Sequence, residues 1–200
     1  MVFILFQALL VGYMYKLPVG SREFRNLIIA TCYFVFLALL LYFVKLGQLS
    51  WDLLLASAIL WFAIEFRDEK HRKRLPNALK IGAFLLVFDF AFENSGWLLG
   101  LWQTFSTVAV GVVPIQVMGI AFFGGAAWAG YLPKKFSFWH SLPDCVVFAF
   151  FGALGERLLI WQGLFVYKLW WTSVLAFAAY FLTWMLLHFV RYRIFAERKY

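Results

Sequence analysis

The sequence predicts an all-α, polytopic transmembrane helix bundle. Three observations predict it: 64% of the 200 residues are hydrophobic, only 14% are charged, and the charged ones fall in short clusters between long apolar runs. A chain of this size cannot hide so much apolar surface in its own interior, so the medium around it must be apolar as well. The same composition excludes a soluble globular domain. With 14 Gly, 5 Pro, 2 Cys and no short period, collagenous, disordered and disulfide-scaffold chains are excluded too.

A span needs about 20 predominantly apolar residues, and seven runs approach that length. The first, 1–15, is short, and crosses a thin region, lies in the interface or re-enters; it lacks the basic start and small-residue cleavage site of a signal peptide. The second, 26–44, lies between Arg25 and Lys45, and the third, 50–66, between Ser50 and the basic stretch that starts at Arg67. The fourth, 79–102, carries Asp89 and Glu93, and the fifth, 106–131, carries Gly111, Pro114 and Gln116. Pro114 is expected to free a backbone carbonyl and bend that helix. The sixth, 140–161, holds Gly152, Gly155, Glu156 and Arg157, and the seventh is 169–190. Nothing is left over for a soluble domain, so the chain reads as one membrane domain over 1–200, and no internal sequence similarity supports a repeat.

Cations set the orientation. Lys16, Arg22, Arg25, Arg67, Lys70, Arg72, Lys73, Arg74, Lys80, Lys134, Lys135, Arg191, Arg193, Arg198 and Lys199 fall on one side, leaving Lys45, Arg157 and Lys168 for the other. The positive-inside rule then puts the C-terminus in the cytoplasm and, with seven spans, the N-terminus outside, as in a prokaryotic cytoplasmic membrane. The net charge of +8 is topological and faces anionic lipid headgroups. Because the stretch Arg67 to Arg74 is wedged between spans and includes Asp68 and Glu69, it reads as a solvated loop and not as a nucleic-acid site.

Polar residues inside spans are the candidates for chemistry. A carboxylate near the bilayer centre costs roughly 2.5 to 3.5 kcal/mol, and the fourth span has two. Asp89 and Glu93, four apart, share one helix face. Counting from Lys80, a rise of about 1.5 Å per residue places Glu93 slightly beyond the midplane. Two acids this close in an apolar medium do not both ionise easily, which leaves a proton for general-acid work; alternatively, neutral carboxyls bond a neighbouring helix. Gly96 and Gly100 form a GxxxG that lets another helix approach. In the sixth span Glu156 and Arg157 point about 100° apart, and Arg157 either pairs with Glu93 or Glu156 or snorkels to the outer headgroups. By depth, Glu93, Asn94, Gln116, Glu156 and Arg157 share one layer, the candidate site.

The other polar residues have simpler expectations. Asp52 and Asp144 sit where helix starts are expected and read as caps. Cys32 and Cys145 read as buried thiols. His71 lies in the basic loop, His140 at the interface and His188 at the inner end of the last span; without an HExxH or similar spacing, neither a metal nor a cofactor is expected. Trp51, Trp102, Trp139, Trp161, Trp170 and Trp171 read as an interfacial belt.

Seven spans with an outside N-terminus suggest rhodopsin topology, yet 169–190 contains no lysine for a retinal Schiff base. Taken together, Glu93-x-x-Gly96-x-x-x-Gly100-x-Trp102 and Gly111-Val112-Val113-Pro114-Ile115-Gln116 resemble the motif region of the integral-membrane carotenoid hydratases of the bacterioruberin pathway and the related small lycopene cyclases. The resemblance covers under a fifth of the chain. It implies acid chemistry on an isoprenoid double bond, with Glu93 as the acid or its partner and with Gly96, Gly100 and Trp102 shaping a polyene groove. Asp89 and Glu156 complete the catalytic candidates, and Asn94, Trp97, Pro114, Gln116 and Arg157 the binding ones. Two other classes compete. One is a small transporter or channel subunit whose carboxylates couple to a proton or cation at a helix broken by Pro114. The other is a non-catalytic membrane partner that uses GxxxG for a helix-mediated oligomer.

Overall fold

A computed structural model describes residues 22–195. It is mostly helical, at 73%. In order come α1 (Arg22–Phe43), α2 (Leu49–Glu65), the single turn α3 (Glu69–Arg72), α4 (Leu75–Leu98), β1 (Trp102–Thr104), β2 (Ala109–Val110), β3 (Val113–Pro114), α5 (Ile115–Tyr131), α6 (Phe138–Trp161), β4 (Phe165–Tyr167) and α7 (Ser173–Phe189). A π-helical turn, Val190–Ile194, extends α7. The long helices fall on six of the predicted runs, and the run 1–15 lies outside the described residues. Two of them, Leu75–Leu98 and the continuous Ser173–Ile194, are long and apolar enough to cross a membrane, and Ile115–Tyr131 is apolar but shorter.

The fourth and fifth predicted runs need correction where they approach each other. Helix α4 stops at Leu98 because Gly100 takes φ 69°. Leu101 N–H then donates to Gly96 O at 2.9 Å and Gly100 N–H to Trp97 O at 3.0 Å, which satisfies carbonyls the helix end would leave open. The chain continues as strand β1 and then as the hairpin β2–β3, pairing Ala109 with Pro114 and Val110 with Val113 around Gly111 at φ 63°. Val108, Val110, Val112 and Val113 favour this extended path over a helix. Pro114 therefore precedes α5, where its fixed φ suits a helix entrance, and bends no helix.

Helix α6 ends in the same way. Gly163 takes φ 75°, Leu164 N–H donates to Leu159 O at 2.9 Å and Gly163 N–H to Ile160 O at 3.0 Å. Strand β4 pairs antiparallel with β1, matching Trp102 with Tyr167, Gln103 with Val166 and Thr104 with Phe165. The shift along the chain that carries Trp102 to Phe165 also carries Leu75 to Phe138, Leu98 to Trp161, Gly100 to Gly163 and Glu93 to Glu156. Helices α4 and α6 are each 24 residues, and α5 and α7 are each 17. The closest helix pairings are α4 with α5 and α6 with α7. Two helix–strand–helix hairpins thus meet at β1–β4 across a local two-fold axis between Gln103 and Val166. In sequence their shared signature is Gly100-Leu101-Trp102 against Gly163-Leu164-Phe165, too short to announce a repeat.

Small residues hold the hairpins closed. A Cβ at Gly82 would strike the Phe122 carbonyl, and one at Gly125 would lie 3.4 Å from Gly82 Cα, so α4 and α5 touch backbone to backbone. Around that seam Ile81, Leu85, Ala126, Trp128, Leu132 and Leu187 form the inner core. Gln162 fastens the α1–α2 turn to the end of α6. Gln162 Oε1 accepts from Leu46 N–H at 2.7 Å and Gly47 N–H at 3.1 Å, while Gln162 Nε2 donates to Val44 O at 2.8 Å and to Leu41 O. Helix α2 then lies along α5, with Leu55 against Gly119.

The left-handed caps predict a matched pair of effects. Gly100→Ala and Gly163→Ala each cost about 1 to 2 kcal/mol, seen as a lowered thermal midpoint of the detergent-solubilised protein. Gly124→Ala, in mid-helix with nothing within 4 Å of the added methyl, leaves the midpoint unchanged or raises it.

Candidate functional site

The two hairpins bring three carboxyls together. Asp89 and Glu93 lie one turn apart on α4, and Glu156, at the position of α6 equivalent to Glu93, faces both. Each glutamate is held from the strand pair. Trp102 Nε1 donates to Glu93 Oε2 at 2.9 Å and the Tyr167 hydroxyl to Glu156 Oε2 at 2.7 Å. Trp102 and Tyr167 are register partners, so their side chains leave the same face of the ladder and reach the site side by side. Burial pushes the Tyr167 phenol up, reinforced by its bond to Glu156, and it stays a hydrogen donor. From α7, Tyr180 makes a second hydrogen bond to Glu156 and faces Glu93 and Asp89. Asp89 differs from the glutamates: its Oδ2 is buried and has no hydrogen-bond partner.

An aromatic row runs beside the acids. Phe84, Phe88 and Phe92, at four-residue spacing on α4, have centroids 6.3 and 6.1 Å apart; Phe92 lies 5.2 Å from Trp102, and Trp102 lies 4.6 Å from Trp171. The eight steps from Phe84 to Phe92 span about 12 Å of helix rise. Gly96 makes room for this arrangement. A Cβ there would overlap the Trp102 indole, while Gly100 lies beyond the helix end. Their spacing therefore serves the Trp102 contact and the helix cap, and not the helix crossing expected of GxxxG. Gly152 plays the matching part under Tyr180, whose ring would be 2.7 Å from an added Cβ.

The expected layer is only partly assembled. Asp89, Glu93, Glu156 and Trp102 meet. Asn94 turns back on its own helix, donating to Phe90 O at 2.7 Å, and its Oδ1 lies toward Gly111. Gln116 donates to Asp52 Oδ1 at 3.0 Å, away from the acids. Arg157 is exposed, as a snorkelling side chain would be, and Trp97 also points outward. Trp102 and Trp51 are buried and not in a belt, and Trp51 Nε1 donates to Phe105 O at 3.0 Å; Trp139, Trp161 and Trp170 are exposed. Tyr167, Tyr180 and Trp171 were not legible as site residues, because strand register and the α6–α7 pairing bring them in.

A second buried polar centre lies at the opposite end of the hairpins. Asp144 is not a cap, since α6 begins earlier at Phe138. Its Oδ2 accepts from Trp128 Nε1 at 2.9 Å and lies 2.9 Å from His188 Nε2, which joins α5, α6 and α7. His140 and Arg191 are also buried. His71 lies 2.7 Å from Glu65. Cys145 is buried as expected, whereas Cys32 is exposed. Among the described residues, no three His, Cys, Asp or Glu side chains group as metal ligands.

Replacing Trp102 by Phe keeps an aromatic side chain, although a smaller one, and removes the donor to Glu93. The expected loss is about 1 to 3 kcal/mol by thermal unfolding in detergent, against less than about 0.5 kcal/mol for exposed Trp97→Phe. In comparisons with family models, curated proteins and solved structures, nothing matches this chain.

Proposed function

We propose that the protein is an integral membrane enzyme that acts on a long isoprenoid or related polyene by acid-catalysed double-bond chemistry, hydration or cyclisation. The observation that carries this reading is the meeting of Asp89, Glu93 and Glu156 beside the row Phe84, Phe88, Phe92 and Trp102. Like charges in an apolar site resist joint ionisation, which favours a carboxyl that keeps its proton. Transfer of that proton to an alkene carbon leaves a tertiary carbocation, for which the aromatic faces supply stabilisation. Water capture followed by proton loss gives an alcohol; attack by a neighbouring double bond followed by proton loss gives a ring. Either course returns the proton to the carboxylate and needs no cofactor. The Glu93 to Gln116 resemblance to carotenoid hydratases and small lycopene cyclases supports the same substrate class.

In this reading the six long helices cross the bilayer, residues 1–15 supply a seventh crossing or an interfacial segment, and the C-terminus is cytoplasmic. The distribution of Lys and Arg supports the orientation. The strand pair β1–β4 and the hairpin β2–β3 then lie at the outer face, with the carboxyls in the outer half beneath them. A carrier built on a broken helix loses its main support, because Pro114 stands at a helix entrance.

Expression in a lycopene-producing bacterial host tests the proposal. The expected result is a new, more polar or cyclised pigment in the lipid extract. The variant D89N/E93Q/E156Q, checked for an unchanged size-exclusion profile, yields at least about a hundredfold less. A well-expressed wild type that leaves lycopene and its polyprenyl precursors unaltered overturns the reading.

A further inference from the structure

The two-fold relation between the hairpins separates the three carboxyls into two kinds. Glu93 and Glu156 occupy one and the same position of the repeated unit, and both are held: Glu93 by Trp102, Glu156 by Tyr167 and Tyr180. Both also lean toward the same end of the β1–β4 ladder, where Trp102 and Tyr167 stand opposite each other. The other end carries Thr104, whose hydroxyl donates to Val112 O at 3.0 Å, and Phe165, which is buried in a cluster with Trp51, Leu101 and Leu159. The frame is therefore symmetric and the chemistry is one-sided.

Asp89 belongs to one hairpin only. Its counterpart is Gly152, and the space above that glycine is filled by the Tyr180 ring. Asp89 lies within electrostatic reach of Glu156, Glu93 and Tyr180, yet its buried Oδ2 has no partner. A buried polar atom left open is costly, and it is retained where something else is to be met. Asp89 lies one turn, about 6 Å, from Glu93, on the same turn of α4 as Phe88, the middle ring of the aromatic row.

We infer that Asp89 is the group that carries and transfers the proton, and that Glu93 and Glu156, each tied to its own strand, are positioning residues at the junction of the two hairpins. The inference rests on the acid-catalysis reading for the step itself. In that step the Asp89 O–H bond breaks as the alkene π pair forms a C–H bond, the adjacent carbon becomes cationic, and Asp89 is left as carboxylate. After capture, the proton released by the added water or by a neighbouring C–H returns to Asp89.

Dicyclohexylcarbodiimide tests the assignment without a substrate. This apolar reagent adds to a protonated carboxyl in an apolar site and rearranges to a stable acylurea, which peptide mass spectrometry locates. In detergent-purified wild type the label is expected on Asp89, at least about tenfold over Glu93 and Glu156, because those two are engaged by donors. It disappears in Asp89→Asn and persists on Asp89 in Glu93→Gln and Glu156→Gln. In the pigment assay Asp89→Asn loses at least about a hundredfold and Asp89→Glu recovers part of it, whereas each glutamine variant keeps a measurable fraction. Label on Glu93 or Glu156 in preference to Asp89, or none on Asp89, overturns the assignment. Labelled Asp89 in a protein that makes no pigment overturns the reaction and leaves the proton-carrying role standing.

Discussion

Three residue pairs between β1 and β4 hold the two hairpins in register, and the position of every site residue depends on them. Gly100 and Gly163 end α4 and α6 at corresponding points and turn both chains into the ladder. Two helix ends are thereby held at a common height, so Glu93 and Glu156 face each other. The same ladder supplies the hydrogen donors, since Trp102 and Tyr167 are both its residues and the clamps on the two acids. In the proposed bilayer setting a short irregular segment must have its backbone satisfied internally. The strand pair does this and aims two side chains at once.

At the other end, Asp144 joins the helices by side chains in place of strands. One carboxylate oxygen receives the Trp128 indole and lies against His188, linking α5 of one hairpin to α6 and α7 of the other. Two polar fastenings, one at each end, leave the middle of the interface to apolar packing. A hydrogen bond in an apolar medium specifies geometry more strongly than packing alone, because the alternative is an unsatisfied group. The acid cluster thus sits in a seam whose two ends are fixed.

Sequence periodicity and charge located the six long helices to within a few residues at most ends, because apolar length and flanking cations are local properties. It failed between 98 and 115, where glycines at positive φ and a valine-rich stretch convert a presumed helix into strands while remaining just as apolar. The acids were legible for a local reason: Asp89, Glu93 and Glu156 are conspicuous wherever apolar residues surround them. Their partners were not, because Trp102 looks like a belt residue and Tyr167 and Tyr180 look like ordinary aromatics until register and helix pairing bring them together. Asp144 shows the same limit. It follows Pro143, a pair that suggests a helix start, and its real setting depends on residues 16 and 44 positions away.

The duplicated hairpin also explains why the acids form one cluster and not two. A strict two-fold would place equivalent groups on both sides of the axis, Glu93 reaching for Trp102 and Glu156 for the position of Phe165, the equivalent of Trp102. Here Tyr180 occupies the space over Gly152, and Glu156 turns toward Tyr167, the partner of Trp102 and not its equivalent. Both glutamates therefore bond to the same end of the ladder, and Asp89 is matched by Gly152 and Tyr180 with no second carboxyl. Symmetry in the backbone provides a stiff frame from short, simple units, and its local breaking gives a single polar face next to a single aromatic row. In the proposed reaction, an apolar substrate along Phe84, Phe88 and Phe92 would meet acid on one side only, the condition for protonating one carbon of a polyene and not its neighbours.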